Sequence, residues 1–385
     1  MRSLLDAAAP RAATYLDDLR ELVSIDSGSN SPAGVNDVVD RLAERFRAAG
    51  WTSERTPSAP YGDLLVSRLG GGEGTRVLLI GHTDTVFDDG TAAERPFRID
   101  GDRAYGPGVN DMKGGLLVAL HAVEVLRATG TPFGELTFVC NPDEEVGSPS
   151  SRGPIAELAR STDVAFVFEA GREDGSVVSA RKGVTDYEVR LAGRAAHAGV
   201  EPERGRSAIV EAAHRAIALH GLNGRWPGVT VNVGTIGGGT RPNVVPAACS
   251  LVIDLRSPDE DAEREAQAAI EEVLRTTLDP DVAVTFDRHV WHRPMVKREG
   301  GARLAAIAAE VGSELGVDVR DASTGGGSDA NTTSAAGVPT LDGLGPVGGD
   351  PHSVDEWMDV PSVPVRIALA AGLIARAGEA ATRAS

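Results

Sequence analysis

The residues best suited to chemistry lie in short polar segments that follow apolar, strand-like runs. The run Leu136–Val139 leads into Asp143, Glu144 and Glu145, where three carboxylates stand side by side. Adjacent carboxylates repel each other, so unless they are solvated a cation must compensate them or one of them must hold a proton. The sequence therefore predicts a cation site or a proton-carrying acid at the end of this strand.

Other residues of metal-ligand type occupy comparable positions. His82 and Asp84 form an H-x-D pair after the run TRVLLI, and the strand period of two points both side chains to the same side. Asp111, Glu169 and His352 lie in segments that follow later strands or are rich in glycine. Taken singly, each has an ordinary interpretation: a structural histidine, a helix N-cap for Asp111, or a solvated glutamate.

Together these residues indicate a metal centre. Two histidines and three carboxylates form a mixed nitrogen and oxygen set suited to zinc: His82, Asp111, Glu145, Glu169 and His352. If one carboxylate bridges, the set is large enough for two ions about 3.5–4 Å apart. Glu144 would then remain beside the ions, free to accept a proton from the attacking water.

The elements that must position these residues alternate along the first 180 residues. The pattern predicts helices at 12–24, 36–49 and 115–129, and apolar strands at 75–80, 135–140 and 164–168. Continuous apolar strands separated by helices indicate an α/β sheet that is covered on both faces. Functional residues gather at the carboxyl ends of the strands in such sheets, where these candidates lie.

The pattern changes near Lys182. Residues 185–191 alternate apolar and polar, which is typical of a sheet with one solvated face. The elements from here follow the order βαββαβ, with helices at 206–220 and 258–277 and later strands at 229–236, 249–256 and 282–290. Helices at 301–315 and 361–377 follow. We therefore expect a discontinuous catalytic domain, residues 1–180 and 293–385, with an inserted ferredoxin-like domain, residues 181–292.

Composition limits the possible partners. A chain of 385 residues with 41% hydrophobic residues suggests two soluble domains. Its net charge of −18 argues against nucleic acid or an anionic membrane as the main partner. The N-terminal segment carries acids where a signal peptide is apolar, and no apolar run approaches the roughly 20 residues of a membrane span. We expect a cytoplasmic protein in which Cys140 and Cys249 are buried thiols.

A family resemblance is carried by segments that occur in order along about residues 15–380. They are GHTDT, YGPGVNDMKGG, NPDEEVGS, FEAG, RAAHAG, TRPNVVP, GGGSDAN and DPHS. This succession resembles the co-catalytic di-zinc metallopeptidases, the family of glutamate carboxypeptidase, aminoacylase, acetylornithine deacetylase and succinyl-diaminopimelate desuccinylase. The resemblance is strongest to the glutamate carboxypeptidase branch, through DEEVGSPSSR and GGGSDAN. It implies a mixed-sheet, zinc-exopeptidase-like catalytic domain with an inserted dimerisation domain.

The resemblance also implies roles for the candidate ligands. One zinc ion would be held by His82 and Glu169 and the other by Glu145 and His352, with Asp111 as the bridge. Cobalt or manganese could replace zinc. Asp84 would adjust the basicity of His82, and Glu144 would be the general base.

In the inserted domain the resemblance assigns residues to the substrate. His197 would reach the active site of the partner subunit in a homodimer, and Asn243 and Arg256 would contact the substrate carboxylate. Outside the inserted domain, and apart from the resemblance, the backbone N–H groups of Gly326 and Gly327 in the loop GGGSD could bind an anion. Without the resemblance these residues would be interpreted as a structural histidine, a turn asparagine, a solvated arginine and a mobile loop.

The predicted reaction is hydrolysis of an amide bond that releases a C-terminal amino acid, glutamate by resemblance, from a small peptide or an N-acyl amino acid. An N-acyl-amino-acid deacylase of the acetylornithine deacetylase or aminoacylase type, or a dipeptidase, would share this chemistry. A non-catalytic peptide- or metabolite-binding protein on the same fold is the remaining alternative. Such a protein would be expected to lack Glu144 or a metal ligand, and none is missing.

Overall fold

The computed structural model describes residues 1–71 and 74–381 and divides the chain into two compact units. The first unit comprises Met1–Ala180, Lys297–Thr324 and Ser328–Ser385. The second comprises Arg181–Val296 together with Gly325–Gly327. The second unit is therefore an insertion that interrupts the first.

The helices of the first unit are α1 (Arg2–Ala8), α2 (Ala12–Val23), α3 (Pro32–Ala48), α4 (Thr91–Glu94), α5 (Lys113–Thr129), α6 (Arg152–Arg160), α9 (Glu299–Leu315), α10 (Asp329–Ala335) and α11 (Val363–Arg376). The second unit contains α7 (Ala208–His220) and α8 (Glu260–Arg275). The helices and strands predicted from the pattern begin and end within four residues of these elements and of the strands below.

The strands before the insertion are β1 (Thr52–Thr56), β2 (Leu64–Leu69), β3 (Val77–His82), β4 (Arg98–Asp100), β5 (Arg103–Tyr105), β6 (Leu136–Asn141), β7 (Val164–Val167) and β8 (Val177–Arg181). The second unit contains β9 (Gly183–Ala192), β10 (Thr230–Gly238), β11 (Ala248–Ser257) and β12 (Ala283–His292). The last strands are β13 (Asp321–Thr324), β14 (Thr340–Leu341), β15 (Gly348–Gly349) and β16 (Trp357–Asp359).

The main sheet of the first unit has the strand order β1-β2-β6-β3-β7-β14. Strand β3 runs parallel to both β6 and β7, and these three strands are buried along their whole length. Strands β1 and β2 are antiparallel, so the sheet is mixed, as predicted. The carboxyl ends of β3, β6 and β7 meet at one edge of the sheet, which brings the loops that follow them together.

A smaller antiparallel sheet, in the order β15-β16-β5-β4, lies in the same unit. Trp357 in β16 pairs with Tyr105 in β5, and Gly349 in β15 pairs with Trp357. The sheet thereby places the segment that precedes β16 beside the segment that follows β5. These two segments contain His352 and Asp111, respectively.

The second unit is an antiparallel sheet, β10-β11-β9-β12, with α7 and α8 packed on one face. In β9, Tyr187, Val189 and Leu191 are buried, and the residues between and after them are exposed. This alternation explains the change of pattern near Lys182, because one face of the sheet contacts helices and the other does not. The predicted βαββαβ order is confirmed.

Helix α11 corrects one expectation from the sequence. Within the described residues, the segment Val360–Glu379 is 20 residues long and apolar enough, by length and composition, to cross a membrane. In its most apolar stretch 61% of the residues are buried inside the fold, as in the core helix of a globular domain.

The two cysteines, Cys140 and Cys249, are buried and free, as predicted.

Candidate metal centre

The strand ends of the first unit bring the predicted ligands together. His82 ends β3, Glu144 and Glu145 form a short 3-10 turn after β6, and Glu169 lies two residues beyond β7. Ligand atoms of His82, Asp111 and Glu145 lie within 4.8 Å of one another, and so do those of His82, Glu144 and Glu169.

Asp111 occupies the middle of this cluster. Its Oδ1 lies 3.2 Å from Nε2 of His82, and its Oδ2 lies 3.3 Å from Nε2 of His352. The N-cap residue of α5 is Met112, and no side chain caps this end of the helix. The alternative role of Asp111 as an N-cap is therefore wrong, and its two oxygens each face one histidine.

The remaining predicted ligands divide between the two histidines. Glu169 lies 3.7 Å from Nε2 of His82, and Glu145 lies 3.1 Å from Nε2 of His352. Two ligands of one tetrahedral zinc, each about 2.0–2.2 Å from the ion, are about 3.3–3.6 Å apart, so these separations are of the size that a shared ion needs. Oε1 of Glu145 is buried and has no hydrogen-bond partner among the described residues. The residues thus fit two cations with Asp111 between them.

Asp84 supports the cluster from behind. The backbone oxygen of Asp84 lies 3.0 Å from Nδ1 of His82, which leaves Nε2 facing Asp111. The Asp84 carboxylate accepts hydrogen bonds from the backbone N–H groups of Glu144 and Glu145, at 3.2 and 3.1 Å, and from Oγ of Ser29 at 2.7 Å. Asp84 therefore orients the histidine and also holds the turn that carries both glutamates. Sequence reasoning missed Ser29, which no motif marks.

The three adjacent acids separate in the structure. The Asp143 carboxylate is buried and accepts hydrogen bonds from the backbone N–H of Ser150 at 2.6 Å and from Oγ of Ser151 at 2.5 Å. It anchors its own loop, whereas Glu144 and Glu145 point towards the histidines. The repulsion that the sequence implied is thus relieved in two ways, by donors from the loop and by cationic partners.

The electrostatics of the cluster follow from burial and crowding. Burial, together with the charge of Glu169, raises the pKa of Glu144 well above its ordinary value. Hydrogen bonds to Asp111 and Glu145 raise the pKa of His352 to about 10. Burial acts to raise the pKa of Asp111, but hydrogen bonds from both histidines outweigh it and hold that pKa well below its ordinary value. Burial acts to lower the pKa of His82, but the charge of Glu169 and the hydrogen bond to Asp111 outweigh it, so the carboxylates favour the protonated form of both imidazoles when no metal is bound.

The predicted substrate residues lie in the second unit. His197 and Asn243 are neighbours, because the backbone N–H of Ala198 donates to the Asn243 carbonyl at 3.0 Å. The backbone N–H of Gly199 donates to Nδ1 of the exposed His197 at 3.2 Å. In a neutral imidazole this leaves the proton on Nε2, where it can be donated to a ligand.

Two other predicted features have partners of their own in the second unit. Arg256 pairs with Asp254 on the same strand, with Nε and Nη2 at 2.8 and 2.7 Å from one carboxylate oxygen. The Gly326 and Gly327 carbonyls lie 3.2 and 3.5 Å from Nη1 of Arg181. The glycine loop is therefore hydrogen-bonded to its own unit through carbonyl oxygens.

Comparison with known proteins identifies the family. Residues 78–376 match peptidase family M20/M25/M40. Carboxypeptidase G2 of Pseudomonas sp. (strain RS-16) is 34% identical over 385 residues, covering 96% of this chain and 91% of that protein. Acetylornithine deacetylase of Myxococcus xanthus is 34% identical over 270 residues, covering 65% of this chain and 68% of that protein.

Solved structures share the fold. A tripeptidase from Staphylococcus aureus subsp. aureus mu50 superposes with a TM-score of 0.84 at 24% identity, covering 97% of this chain and 99% of that one. These matches confirm the family predicted from the motifs. The chain is a metallohydrolase that belongs to peptidase family M20/M25/M40.

Proposed function

We propose that this protein is a di-zinc exopeptidase that hydrolyses an amide bond and releases a C-terminal amino acid, with glutamate preferred. The observation that carries the proposal is the position of Asp111, whose two oxygens face His82 and His352, with Glu144 beside them. Such an arrangement suits two cations that share one carboxylate and a base within reach of the attacking water.

The proposed ligands of one zinc are His82 and Glu169, and those of the other are Glu145 and His352, with Asp111 shared. Bound zinc would lower the pKa of the water nucleophile and polarise the scissile carbonyl. Asp84 keeps Nε2 of His82 directed at the ligand position through its contact with Nδ1.

Glu144 is the proposed general base. Its carboxylate lies 4.0 Å from Nε2 of His82, and the side chain is largely buried. It would accept a proton from the water that attacks the carbonyl carbon and deliver that proton to the leaving amine nitrogen.

The second unit is proposed to supply the groups that recognise the substrate. Nε2 of His197 would donate to the oxyanion in the partner subunit's site, a task for which its Gly199 contact selects the required tautomer. Asn243 and Arg256 would bind the substrate carboxylate, with the N–H groups of Gly326 and Gly327 as further donors. The Asp254 contact engages the Nε–Nη2 edge of Arg256, so the Nη1–Nη2 edge would be the one offered to the substrate.

A homodimer through the second unit is part of this proposal. Strand β10 is an edge strand of its sheet, and Ile236 on it is 54% exposed. Ile217 on α7 of the same unit is 73% exposed. An unpaired edge and exposed apolar side chains are features that pairing across a two-fold axis would cover.

The glutamate preference is supported by the similarity to Carboxypeptidase G2. A zinc-loaded preparation should be tested on peptidyl and N-acyl derivatives of glutamate, leucine and ornithine, each as the free acid and as the C-terminal amide. We expect fastest release of glutamate and little turnover of the amides. Equal turnover of acid and amide would rule out carboxylate recognition.

A second candidate function is N-acyl-amino-acid deacylation, which the match to acetylornithine deacetylase supports. The same panel separates the two functions. Faster release of ornithine from its N-acetyl form than of glutamate from any derivative would favour the deacylase.

A further inference from the structure

Glu356 is a buried acid that lies four residues beyond His352 and is only 2% exposed. Its carboxylate accepts three backbone hydrogen bonds. Oε2 accepts from Gly108 N at 2.9 Å, and Oε1 accepts from Asn110 N at 2.9 Å and Asp111 N at 3.0 Å. Both oxygens are thus engaged by the loop that carries the central aspartate.

The small sheet explains why Glu356 reaches this loop. Glu356 immediately precedes β16, and the pairing of Trp357 with Tyr105 sets it opposite the first residues after β5. The loop between β5 and α5 turns at Gly106 and Gly108, which have φ values of 145° and 77°. Positive φ at glycine allows nearby N–H groups to converge on one anion. The protein supplies that anion as its own side chain.

We propose that Glu356 is a positioning residue for the metal centre, which sets the placement of Asp111 relative to His352 and thereby the affinity for zinc. The proposal rests on the metal roles of these two residues in the proposed function. Glu356 holds the backbone from which Asp111 projects, and it belongs to the same chain segment as His352. One carboxylate therefore links two ligands that are 241 positions apart in the sequence.

The chemistry of the contact favours a charged acceptor over a neutral one. A carboxylate offers acceptor sites alone, so it can satisfy three convergent N–H groups. An amide in its place could keep its oxygen towards the N–H groups of Asn110 and Asp111, but its NH2 group would then face the N–H of Gly108. The loop would then shift or leave the buried N–H of Gly108 without an acceptor. Mutation of a residue that holds a metal ligand in place typically weakens metal binding about 10–100-fold.

The test is the zinc affinity of the full-length protein with Glu356→Gln, measured without substrate by competition with a chromophoric chelator. Glu211→Gln is the matched control. Glu211 is also buried, at 1% exposure, and accepts backbone hydrogen bonds from Leu278 and Asp279, but it lies in the second unit. We expect about 10–100-fold weaker zinc binding for Glu356→Gln and unchanged zinc binding for Glu211→Gln.

A second readout separates positioning from general stability. The absorption spectrum of the cobalt-loaded protein reports ligand geometry, and we expect it to change in Glu356→Gln and to stay the same in Glu211→Gln. Wild-type zinc affinity and an unchanged cobalt spectrum in a folded Glu356→Gln protein would overturn the proposal.

If Glu356→Gln does not fold, Glu356→Asp decides the question, because its shorter carboxylate keeps the charge but cannot reach all three N–H groups. We expect weakened zinc binding in this variant, and wild-type affinity would overturn the proposal. Failure of the proposed function is distinguishable, because it would appear as absent zinc binding in the wild-type chain or as absent turnover in the substrate panel.

Discussion

The candidate residues of the two units differ in how they are held. In the first unit, His82 and Asp84 are buried, and each hydrogen-bonds or pairs with another member of the cluster. In the second unit, His197 and Asn243 are exposed on loops, and Arg256 pairs with a carboxylate of its own strand. The first unit therefore contains a preorganised set of opposing charges, whereas the candidate residues of the second unit are exposed polar groups and an arginine paired within its own strand.

This difference leads to an expectation about mutations. Changes in the first unit should alter metal binding or the chemical step, because its groups act on one another. Mutations in the second unit should alter substrate binding or the activation free energy of the reaction, without changing the metal content. The predictions below test this division, beginning with the largest expected effect.

Removal of zinc should abolish activity, because the Lewis acid and the source of the nucleophile are lost together. Dialysis against a chelator followed by zinc titration should restore activity as the content approaches two ions per chain, measured by elemental analysis. Full activity with a single tightly bound ion per chain would contradict the bridging role of Asp111.

Glu144→Gln should lower kcat about 10²–10⁴-fold, because the amide has nearly the same shape but cannot accept the proton. Zinc content should remain at the wild-type level. Glu145→Gln is the matched comparison in the adjacent position, and it should weaken zinc binding instead, since Glu145 contacts His352. Steady-state kinetics and zinc analysis of both variants test this assignment. Loss of zinc in Glu144→Gln, with retained zinc and lower kcat in Glu145→Gln, would make Glu145 the base and Glu144 the ligand.

His197→Ala should lower kcat about 10²–10³-fold with unchanged zinc content, because one oxyanion donor is removed. Mixing inactive His197→Ala chains with inactive Glu144→Gln chains should restore part of the activity, since a hybrid dimer holds one intact site. Subunit exchange must be shown independently, for example with tagged chains. If exchange occurs and no activity returns, His197 does not act in the partner subunit.

Arg256→Lys should raise KM about 10-fold, because losing one charge-assisted hydrogen bond of about 1.5 kcal/mol corresponds to that factor. Lysine keeps the charge but lacks the planar fork that matches a carboxylate. The effect should disappear when the C-terminal amide of the substrate is used. An unchanged KM for the free acid would remove Arg256 from carboxylate recognition.

Asp329→Asn should produce the smallest effect, a change in how stability depends on pH. Burial raises the pKa of Asp329 from 3.8 to about 7. The folded chain therefore holds this proton more tightly than the unfolded chain, so the contribution of Asp329 is most favourable at low pH and is lost as the pH rises from about 4 to 7. Asparagine cannot ionise, and it can still accept the hydrogen bond from Oγ of Ser148.

The melting temperature of the metal-free variant, relative to wild type, should consequently rise as the pH increases from about 4 to 7. A difference that stays constant across this range would contradict the burial of an ionisable group at this position. Zinc affinity should change less than in Glu145→Gln, because Asp329 contacts Asn141 and Ser148 and is not one of the proposed ligands.

Much of the architecture could be predicted from the sequence. The apolar runs predicted the main sheet of the first unit, and the change to alternation near Lys182 predicted the sheet of the second unit. Burial on two faces produces continuous apolar runs, and burial on one face produces alternation. The edge strand β1 and its neighbour β2 were not predicted. All five residues of β1 are exposed, and its sequence, TSERT, contains no apolar residue, so its pairing with β2 is determined by the neighbouring strand.

The sequence by itself also determined the set of candidate ligands, because residue type and position after strands were enough to select His82, Asp111, Glu145, Glu169 and His352. It did not determine how the adjacent acids divide their roles. Asp143, Glu144 and Glu145 have the same charge and neighbouring positions, and only the tertiary structure directs Asp143 to Ser150 and Ser151 and the other two to the histidines.

The hydrogen bonds between segments that are distant in the sequence are likewise seen only in the tertiary structure. Ser29 donates to Asp84, and Glu356 accepts from the backbone of Gly108, Asn110 and Asp111. Neither residue belongs to a recognisable sequence pattern. A polar side chain that hydrogen-bonds to a distant loop does not change the hydrophobic periodicity of the segment around it. The small sheet that pairs β16 with β5 creates the Glu356 contact, and strands of three residues are too short to reveal their pairing in the sequence.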